Sequence, residues 1–190
     1  MTNVGESMKV KTSYLLNPMD EPLGRAVGNA LEVAECVEIL QGSGPPDLIK
    51  LIINLAEKVS ETPRAQLEKR LQDGSAWKKF VSLVYAQDGD ATTVEKILEQ
   101  HRAPIIQPWP AKSAGVVKKM DAEPIGRASV LLGAGRRKAD DPIDFAVGFS
   151  GIKKVGQHVD LDEPLFVIHA RNERSIVNIT PLLEKAVDIG

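Results

Sequence analysis

Apolar residues in the first half of the chain recur at the spacing of α-helices. Val33, Cys36, Val37 and Leu40 lie three or four residues apart, which places them on one face of a helix that Gly42 ends. The same period returns in further segments, which begin near Pro45, Thr62, Ser75 and Val94. The chain is therefore predicted to be almost entirely helical from about residue 32 to about residue 100.

One segment before these helices has a different pattern. Residues 8–16 alternate loosely between polar and apolar positions, end in the apolar Tyr14-Leu15-Leu16, and precede the turn signal Asn17-Pro18. This pattern predicts a short buried strand. An unpaired strand exposes backbone groups and an apolar face, and no neighbouring strand is predicted. We therefore expect the isolated chain to be poorly soluble or to complete its sheet with another copy or another polypeptide.

The pattern changes again after His101. Two prolines surround an Ile-Ile pair in residues 103–110, which is typical of a strand at the edge of a sheet. Further strands are predicted at 115–117, 146–149 and 165–169, and helices at 125–132 and 175–187. We expect Pro181 to separate the first turn of the last helix from the rest.

These elements predict an α+β fold. Its parts are one N-terminal strand, a helical segment, and a C-terminal β-rich, barrel-sandwich-like region with a terminal helix. The change of class near residue 102 predicts two parts, residues 1–102 and residues 103–190, with no disordered linker between them.

Composition narrows the classes of partner. The formal net charge is −2 and aromatic residues make up 4 % of the chain, so neither a basic surface for nucleic acid or anionic lipid nor stacking platforms for bases are expected. No apolar run approaches the ~20 residues that span a bilayer, and the first ten residues lack the apolar core of a signal peptide. Cys36, the single cysteine, fits a reducing compartment, and its helical position predicts a small buried side chain. We expect a cytoplasmic protein.

Two sets of polar residues suggest chemistry but have simpler explanations. Gly133-Ala134-Gly135-Arg136-Arg137 has the glycines and arginines of a phosphate loop, yet it follows a helix instead of preceding one. A glycine helix stop and a solvated basic loop are therefore favoured. His101, His158 and His169 are too far apart in sequence to suggest a zinc site or an acid–base pair.

A third motif is similar to the segment that contains the modified lysine in biotin and lipoyl carrier domains. It consists of Lys118-Lys119-Met120, and residues 155–159 and 164–165 are similar to the second half of such a domain. A carrier presents its lysine at an exposed hairpin tip between small residues, whereas Asp121 follows here and no Ala-Met precedes. A shared β-sandwich architecture without the modification is favoured, and intact mass would test the carrier hypothesis.

Residues 19–33 form the densest unusual stretch. Pro22, Gly24 and Gly28 fall within seven residues, which makes a regular helix improbable. A tight loop with outward carbonyl groups is expected, and carbonyl oxygens beside the carboxylate of Glu35 would suit a hard cation. On composition alone, a plain strand-to-helix connection is the favoured alternative.

The same stretch resembles the signature of the thymidine phosphorylase and pyrimidine-nucleoside phosphorylase family. The matching residues are Met19-Asp20-x-Pro22-Leu23-Gly24-x-x-Val27-Gly28-Asn29-Ala30-Leu31-Glu32-Val33. The resemblance continues in the family's order and spacing through residues 42–48, 73–76, 111–116, 125–128, 132–136, 140–148, 153–156 and 163–165. It covers essentially the whole chain.

The resemblance implies an activity, an assembly and a cation. The activity is reversible phosphorolysis of thymidine or uridine to the free base and (deoxy)ribose 1-phosphate, a pentosyl transfer of the glycosyltransferase class that needs no organic cofactor. The enzymes are homodimers. They hold a monovalent cation, usually K⁺, with ligands that correspond here to the main-chain oxygens of Leu23 and Ala26 and the side chain of Glu35.

The chain also departs from the family pattern. The phosphate-binding Lys-x-Ser-Thr-Gly-Gly loop and the pyrimidine-binding Ser-Ile-x-Ser-Lys-Lys segment do not occur in its 190 residues. The resemblance therefore assigns residues 1–102 to the C-terminal part of the phosphorylase α/β domain and residues 103–190 to its C-terminal α+β subdomain. No catalytic residue is expected in this chain, which should be inactive without a part that supplies those segments. A non-catalytic, truncated paralogue that acts as a dimerisation or regulatory module is the alternative.

Overall fold

The chain is mostly helical between residues 29 and 100, as its apolar period predicts, and a short helix that was not predicted lies at residues 2–7. The computed structural model describes residues 2–136 and 138–190, so Arg137 of the predicted basic loop lies outside the described residues. Pro46 and Asp47 open one helix, and Asp90 caps another by accepting a hydrogen bond from the Thr92 N–H. The helices are α1 (Thr2–Ser7), α2 (Asn29–Leu40), α3 (Pro46–Val59), α4 (Arg64–Gln72), α5 (Ser75–Ala86), α6 (Ala91–Glu95) and α7 (Ile97–Gln100).

The predicted buried strand at 8–16 is wrong. Residues 10–19 form neither helix nor strand, and the apolar side chains of Tyr14 and Leu16 are 70 % and 87 % exposed. A strand needs a partner for its backbone N–H and C=O groups. Within the described residues, both sheets are built from strands between residues 105 and 189, and none of these strands pairs with residues 8–16.

The C-terminal part contains two small antiparallel sheets and two helices, which confirms the α+β class. One sheet has the strand order β1-β5-β3 and the other β4-β2-β6, and they form no closed barrel. In the first sheet Ile105 pairs with Ala170, and Phe149 pairs with Ile168. The elements are β1 (Ile105–Pro110), β2 (Gly115–Met120), α8 (Ala122–Leu132), β3 (Gly148–Ser150), β4 (His158–Val159), β5 (Pro164–Ala170), α9 (Glu173–Ala186) and β6 (Val187–Ile189).

The last helix runs through its proline. Pro181 lies inside α9, which is continuous from Glu173 to Ala186, so the expected separation of its first turn is wrong. Proline lacks the N–H that would bond to the carbonyl group of Val177. Val177 is 69 % exposed, so water can solvate that carbonyl group and the helix tolerates the loss.

The main hydrophobic core lies in the C-terminal part. It joins both sheets to α8 and α9, and the ring of Phe166 packs edge-to-face on Phe149 and parallel to Trp109. Among the largest fully buried side chains of the described residues, Ile39 is the only one that precedes residue 101. The division of the chain near residue 102 stays a prediction.

The loop before α2 is attached to the edge of the first sheet. The Val27 N–H donates to the Phe149 carbonyl oxygen at 2.9 Å, and the Phe149 N–H donates to the Val27 oxygen at 2.7 Å. The two backbones approach so closely that a Cβ on Gly148 would lie 2.0 Å from the Val27 oxygen, and one on Gly28 would lie 2.4 Å from the Val147 oxygen. Both glycines have positive φ, so no other residue would fit without strain.

Candidate functional site

Two of the three predicted cation ligands, Leu23 and Ala26, lie in the segment that this attachment fixes, and the third, Glu35, lies in α2. We call residues 22–27 the carbonyl loop. At its C-terminal end the Arg25 carbonyl oxygen accepts a hydrogen bond from the Ile152 N–H at 3.1 Å. Together with the Val27–Phe149 pair, this bond joins the end of the loop to the sheet that contains β3.

A lysine fixes the other end of the carbonyl loop. The ammonium group of Lys154 donates to the carbonyl oxygen of Pro22 and, at 3.0 Å, to that of Gly24. It also pairs with Asp47 Oδ2 at 2.9 Å, close to the start of α3. The Gly24 N–H donates to the same Asp47 oxygen at 3.2 Å, so the lysine, the aspartate and the loop form one network.

Two carbonyl groups of the loop stay free of these bonds. Within the described residues, no N–H or O–H group donates to the main-chain oxygen of Leu23 or Ala26. Both residues line an open cleft of about 390 Å³, and the side chain of Glu35 lines it as well. The structure therefore brings the three predicted ligands to one cleft; their role as ligands stays a prediction.

Glu35 is a buried carboxylate with one strong hydrogen bond. It is 9 % exposed, and its Oε1 accepts from the Arg25 N–H at 2.7 Å. Burial raises the pKa of Glu35, the Arg25 hydrogen bond opposes this effect, and the charges of Asp47 and Glu38 add to it. The charge of Lys154 also lowers this pKa, but burial outweighs it.

Gly24 makes room for this carboxylate. Its φ is +68°, and a Cβ there would lie 2.2 Å from Glu35 Oε2. Any other residue would therefore displace the carboxylate and also strain the backbone.

The pKa of Asp47 is lowered, in contrast to the raised pKa of Glu35. Burial would raise the pKa of its carboxyl group, but the hydrogen bond and charge of Lys154, with the N–H groups of Gly24 and Leu48, outweigh burial and lower it. Asp47 is thus paired with Lys154, whereas Glu35 forms no ion pair with any of the described residues.

Cys36 also lines the cleft, and the prediction that it is buried is wrong. Of the predicted face, Val37 is buried, but the other residues that α2 buries are Ala30, Leu31, Glu35 and Ile39, and Cys36 is exposed to the cleft. Partial desolvation of the sulfur raises the pKa of the thiol, and the neighbouring charges of Glu35 and Glu32 raise it further.

Lys154 is not among the site residues predicted from the sequence. It lies 130 residues from Gly24 along the chain, and only the docking of the second part on the loop brings the two together. Residues 153–156 are one of the segments that resemble the family, which could have indicated a site residue there. No local pattern distinguished Lys154 from Lys153.

In the described residues, the other candidate motifs have structural roles. Gly133 has φ +110° and ends α8, as predicted for a helix stop. The three histidines lie apart: His169 bonds to Ser150 Oγ at 2.8 Å, and His101 packs against the ring of Phe145. In the part of the chain that the structure describes, no three His, Cys, Asp or Glu side chains are grouped as metal ligands.

The lysines of the carrier-like motif lie on a strand. Lys118 and Lys119 belong to β2, which pairs with both β4 and β6, and Lys119 forms an ion pair with Asp121 at 2.8 Å. Neither lysine is at a hairpin tip.

None of the helices formed by residues 2–136 and 138–190 combines the length and the apolar character that a bilayer crossing requires.

Comparison with known proteins gives consistent matches. Residues 116–190 match the profile of the pyrimidine nucleoside phosphorylase C-terminal domain. Over 99 % of its length the chain is 36 % identical to a pyrimidine-nucleoside phosphorylase of Bacillus subtilis (strain 168), of which it covers 45 %. It is 34 % identical over its whole length to that of Staphylococcus haemolyticus (strain JCSC1435) and covers 46 % of it. The chain spans about half the length of the curated relatives it matches.

Proposed function

The chain matches the C-terminal portion of the pyrimidine-nucleoside phosphorylase family, and from that premise we propose that it acts in the reversible phosphorolysis of pyrimidine nucleosides. Thymidine or uridine and phosphate are the substrates, and the free base and (deoxy)ribose 1-phosphate are the products. In this proposal the chain supplies the C-terminal scaffold and the carbonyl loop of a cytoplasmic pentosyltransferase. The phosphate-binding and base-binding segments are supplied by another part of the protein or by another polypeptide.

The observation that carries this proposal is the cleft beside the carbonyl loop. Leu23 and Ala26 have main-chain oxygens without hydrogen-bond donors, and Glu35 is a carboxylate whose pKa is raised by burial. Oxygen ligands of this kind suit a monovalent cation such as K⁺, for which carbonyl oxygens replace water. A bound cation would supply positive charge beside the reacting phosphate; the residues of this chain hold and orient it.

Exposed apolar residues support the need for a further part. Met8, Tyr14, Leu16 and Met19 are each at least 70 % exposed, and their segment forms no strand pairing with the described residues. Exposed apolar side chains in such a run mark an interaction surface. We propose that this segment docks on a complementing part or on a second copy in a dimer.

A turnover experiment tests the proposal. The purified chain is incubated with thymidine, or uridine, and phosphate, both alone and with a separately produced fragment that carries the Lys-x-Ser-Thr-Gly-Gly loop and the Ser-Lys-Lys segment. We expect phosphate-dependent release of base only from the mixture. Base release by the chain alone would contradict the claim that the catalytic groups lie outside it. An inactive mixture in which both parts are folded and associated would contradict the proposed activity.

The same exposed segment supports a second candidate, a non-catalytic dimerisation or regulatory module. Such a chain would bind a complete phosphorylase subunit and change its rate without completing an active site with the fragment. The two functions therefore predict opposite results in the mixture of chain and fragment.

A further inference from the structure

The ammonium group of Lys154 occupies a site that has the ligands of a small cation. It contacts the carbonyl oxygens of Pro22 and Gly24 and pairs with Asp47 Oδ2, and Glu21 Oε1 lies 3.9 Å away. The side chain is 14 % exposed. An ammonium group has three N–H donors, and the two carbonyl groups and Asp47 provide one acceptor for each.

These acceptors could not stay together without a cation. Two carbonyl dipoles and a carboxylate turned to one point repel each other, and burying them unpaired is costly. Their alternative is to turn towards water, which would release the N-terminal end of the carbonyl loop. The C-terminal end would still be held by the backbone pairing of Arg25 and Val27 with the sheet.

We infer that Lys154 is a tethered cation and the positioning residue of the carbonyl loop. By binding the oxygens of Pro22 and Gly24 it fixes the loop in the conformation that leaves Leu23 and Ala26 unbonded beside Glu35. It also connects the loop to Asp47 at the start of α3, and hence the helical part to the C-terminal part. This role does not require that a cation binds at Glu35 or that the chain takes part in phosphorolysis.

The adjacent lysine provides a matched control. Lys153 has the same side chain and is the neighbouring residue, but its ammonium group pairs with Glu163 Oε1 and, in the described residues, makes no hydrogen bond or ion pair with the loop. Substitution of Lys153 therefore removes an equal charge and an equal side chain and leaves the contacts of Lys154 with the carbonyl loop and Asp47 intact.

The test is amide hydrogen exchange combined with chemical rescue. The amides of Gly24 and Arg25, which donate to Asp47 and Glu35, report on the loop, and that of Ile168 in β5 reports on the core. Lys154→Ala should accelerate exchange at Gly24 and Arg25 about tenfold or more relative to Ile168, because a charge-assisted network is lost. Lys153→Ala should leave this ratio within about twofold of wild type.

Propylammonium replaces the atoms that Lys154→Ala removes, so it should restore protection at Gly24 and Arg25. Tetramethylammonium at equal ionic strength, which has no N–H donor, should not. The inference is wrong if exchange at the two amides is not accelerated, or if propylammonium fails to slow it. The exchange experiment is independent of the turnover assay, because exchange is measured without substrate or a complementing fragment.

A variant that does not fold also gives an answer. Folding of Lys154→Ala in propylammonium but not in tetramethylammonium supports the inference. If it folds in neither salt, Lys154→Met keeps the apolar stem and decides: accelerated exchange at Gly24 and Arg25 relative to Ile168 supports the role, and an unchanged ratio overturns it.

Discussion

The helical part and the C-terminal part of the chain bury their apolar side chains to different extents. In the described residues, α2 buries five residues, but α3 buries one, Ile53, and α4 and α5 bury none, whereas α8 and α9 bury four each. Apolar residues of the helical part such as Leu55 and Leu83 stay about half exposed. Because burial of apolar surface is the main stabilising contribution to folding, the C-terminal part should carry most of the stability and the helical part should depend on contacts made elsewhere.

The largest expected effect compares one leucine from each part. Leu183 in α9 is fully buried, and Leu55 in α3 is 47 % exposed. Leu183→Ala should lower the free energy of unfolding by about 2–5 kcal/mol because it removes buried methyl groups and leaves a cavity. Leu55→Ala should cost less than about 1 kcal/mol. Urea denaturation of both variants checks the difference, and equal losses would contradict the comparison.

A glycine at the junction should matter almost as much. Gly148→Ala places a Cβ 2.0 Å from the Val27 oxygen, so it should separate the carbonyl loop from the sheet and cost about 2–4 kcal/mol. Gly156 also has positive φ, but a Cβ there meets nothing within 4 Å, so Gly156→Ala carries the backbone strain alone, about 1 kcal/mol. Thermal melts of the pair separate the clash from the strain. A Gly148→Ala loss no larger than that of Gly156→Ala would show that the loop is not anchored there.

A substitution in the cleft should instead stabilise the chain. The pKa of Glu35 is higher in the folded chain than in the unfolded chain. The ionised carboxylate therefore destabilises the fold, and this effect grows as pH rises from the unfolded-state pKa through the folded-state pKa. Glu35→Gln keeps an acceptor for the Arg25 N–H and removes the charge. We expect it to raise stability by about 0.5–1 kcal/mol at neutral pH in potassium-free buffer, and by less near pH 4. A gain that is equal at both pH values, or a loss at neutral pH, would contradict the assignment.

The smallest effect is expected at an ion pair of the C-terminal part. The guanidinium of Arg171 lowers the pKa of Asp144, although burial opposes this effect. The pair therefore stabilises the fold at pH values above the ordinary aspartate pKa, about 4. This contribution is lost as pH falls through the lowered pKa of Asp144. Asp144→Asn should cost about 1 kcal/mol or less at pH 7. Denaturation at pH 7 and pH 3 checks this: the cost should shrink at the lower pH, and a constant cost would point to packing instead of charge.

Sequence periodicity predicted the helices of the first half and the α+β class because those elements depend on local spacing. It failed at residues 8–16, where the apolar run predicted a strand although no neighbouring strand was predicted; in the described residues this segment stays without a strand partner. It also misplaced Cys36, since a helical period places residues on one face but does not show which face packs against the fold; α2 buries Ala30, Leu31 and Ile39 instead. The resemblance to a family selected Leu23, Ala26 and Glu35, whereas Lys154 depends on a contact across 130 residues that no local pattern encodes.

The central claim is that the cleft lined by Leu23, Ala26 and Glu35 binds a monovalent cation, and Cys36 allows a direct measurement. As the chain's single cysteine it can be titrated with a thiol reagent, alone and with a cysteine-free complementing fragment. Burial raises the pKa of the thiol and the charge of Glu35 raises it further. A cation bound at Glu35 would offset that charge, so the reaction at fixed pH should be faster in KCl than in tetramethylammonium chloride. Glu35→Gln should abolish the difference. Equal rates in the two salts, both alone and in the mixture, would contradict the claim.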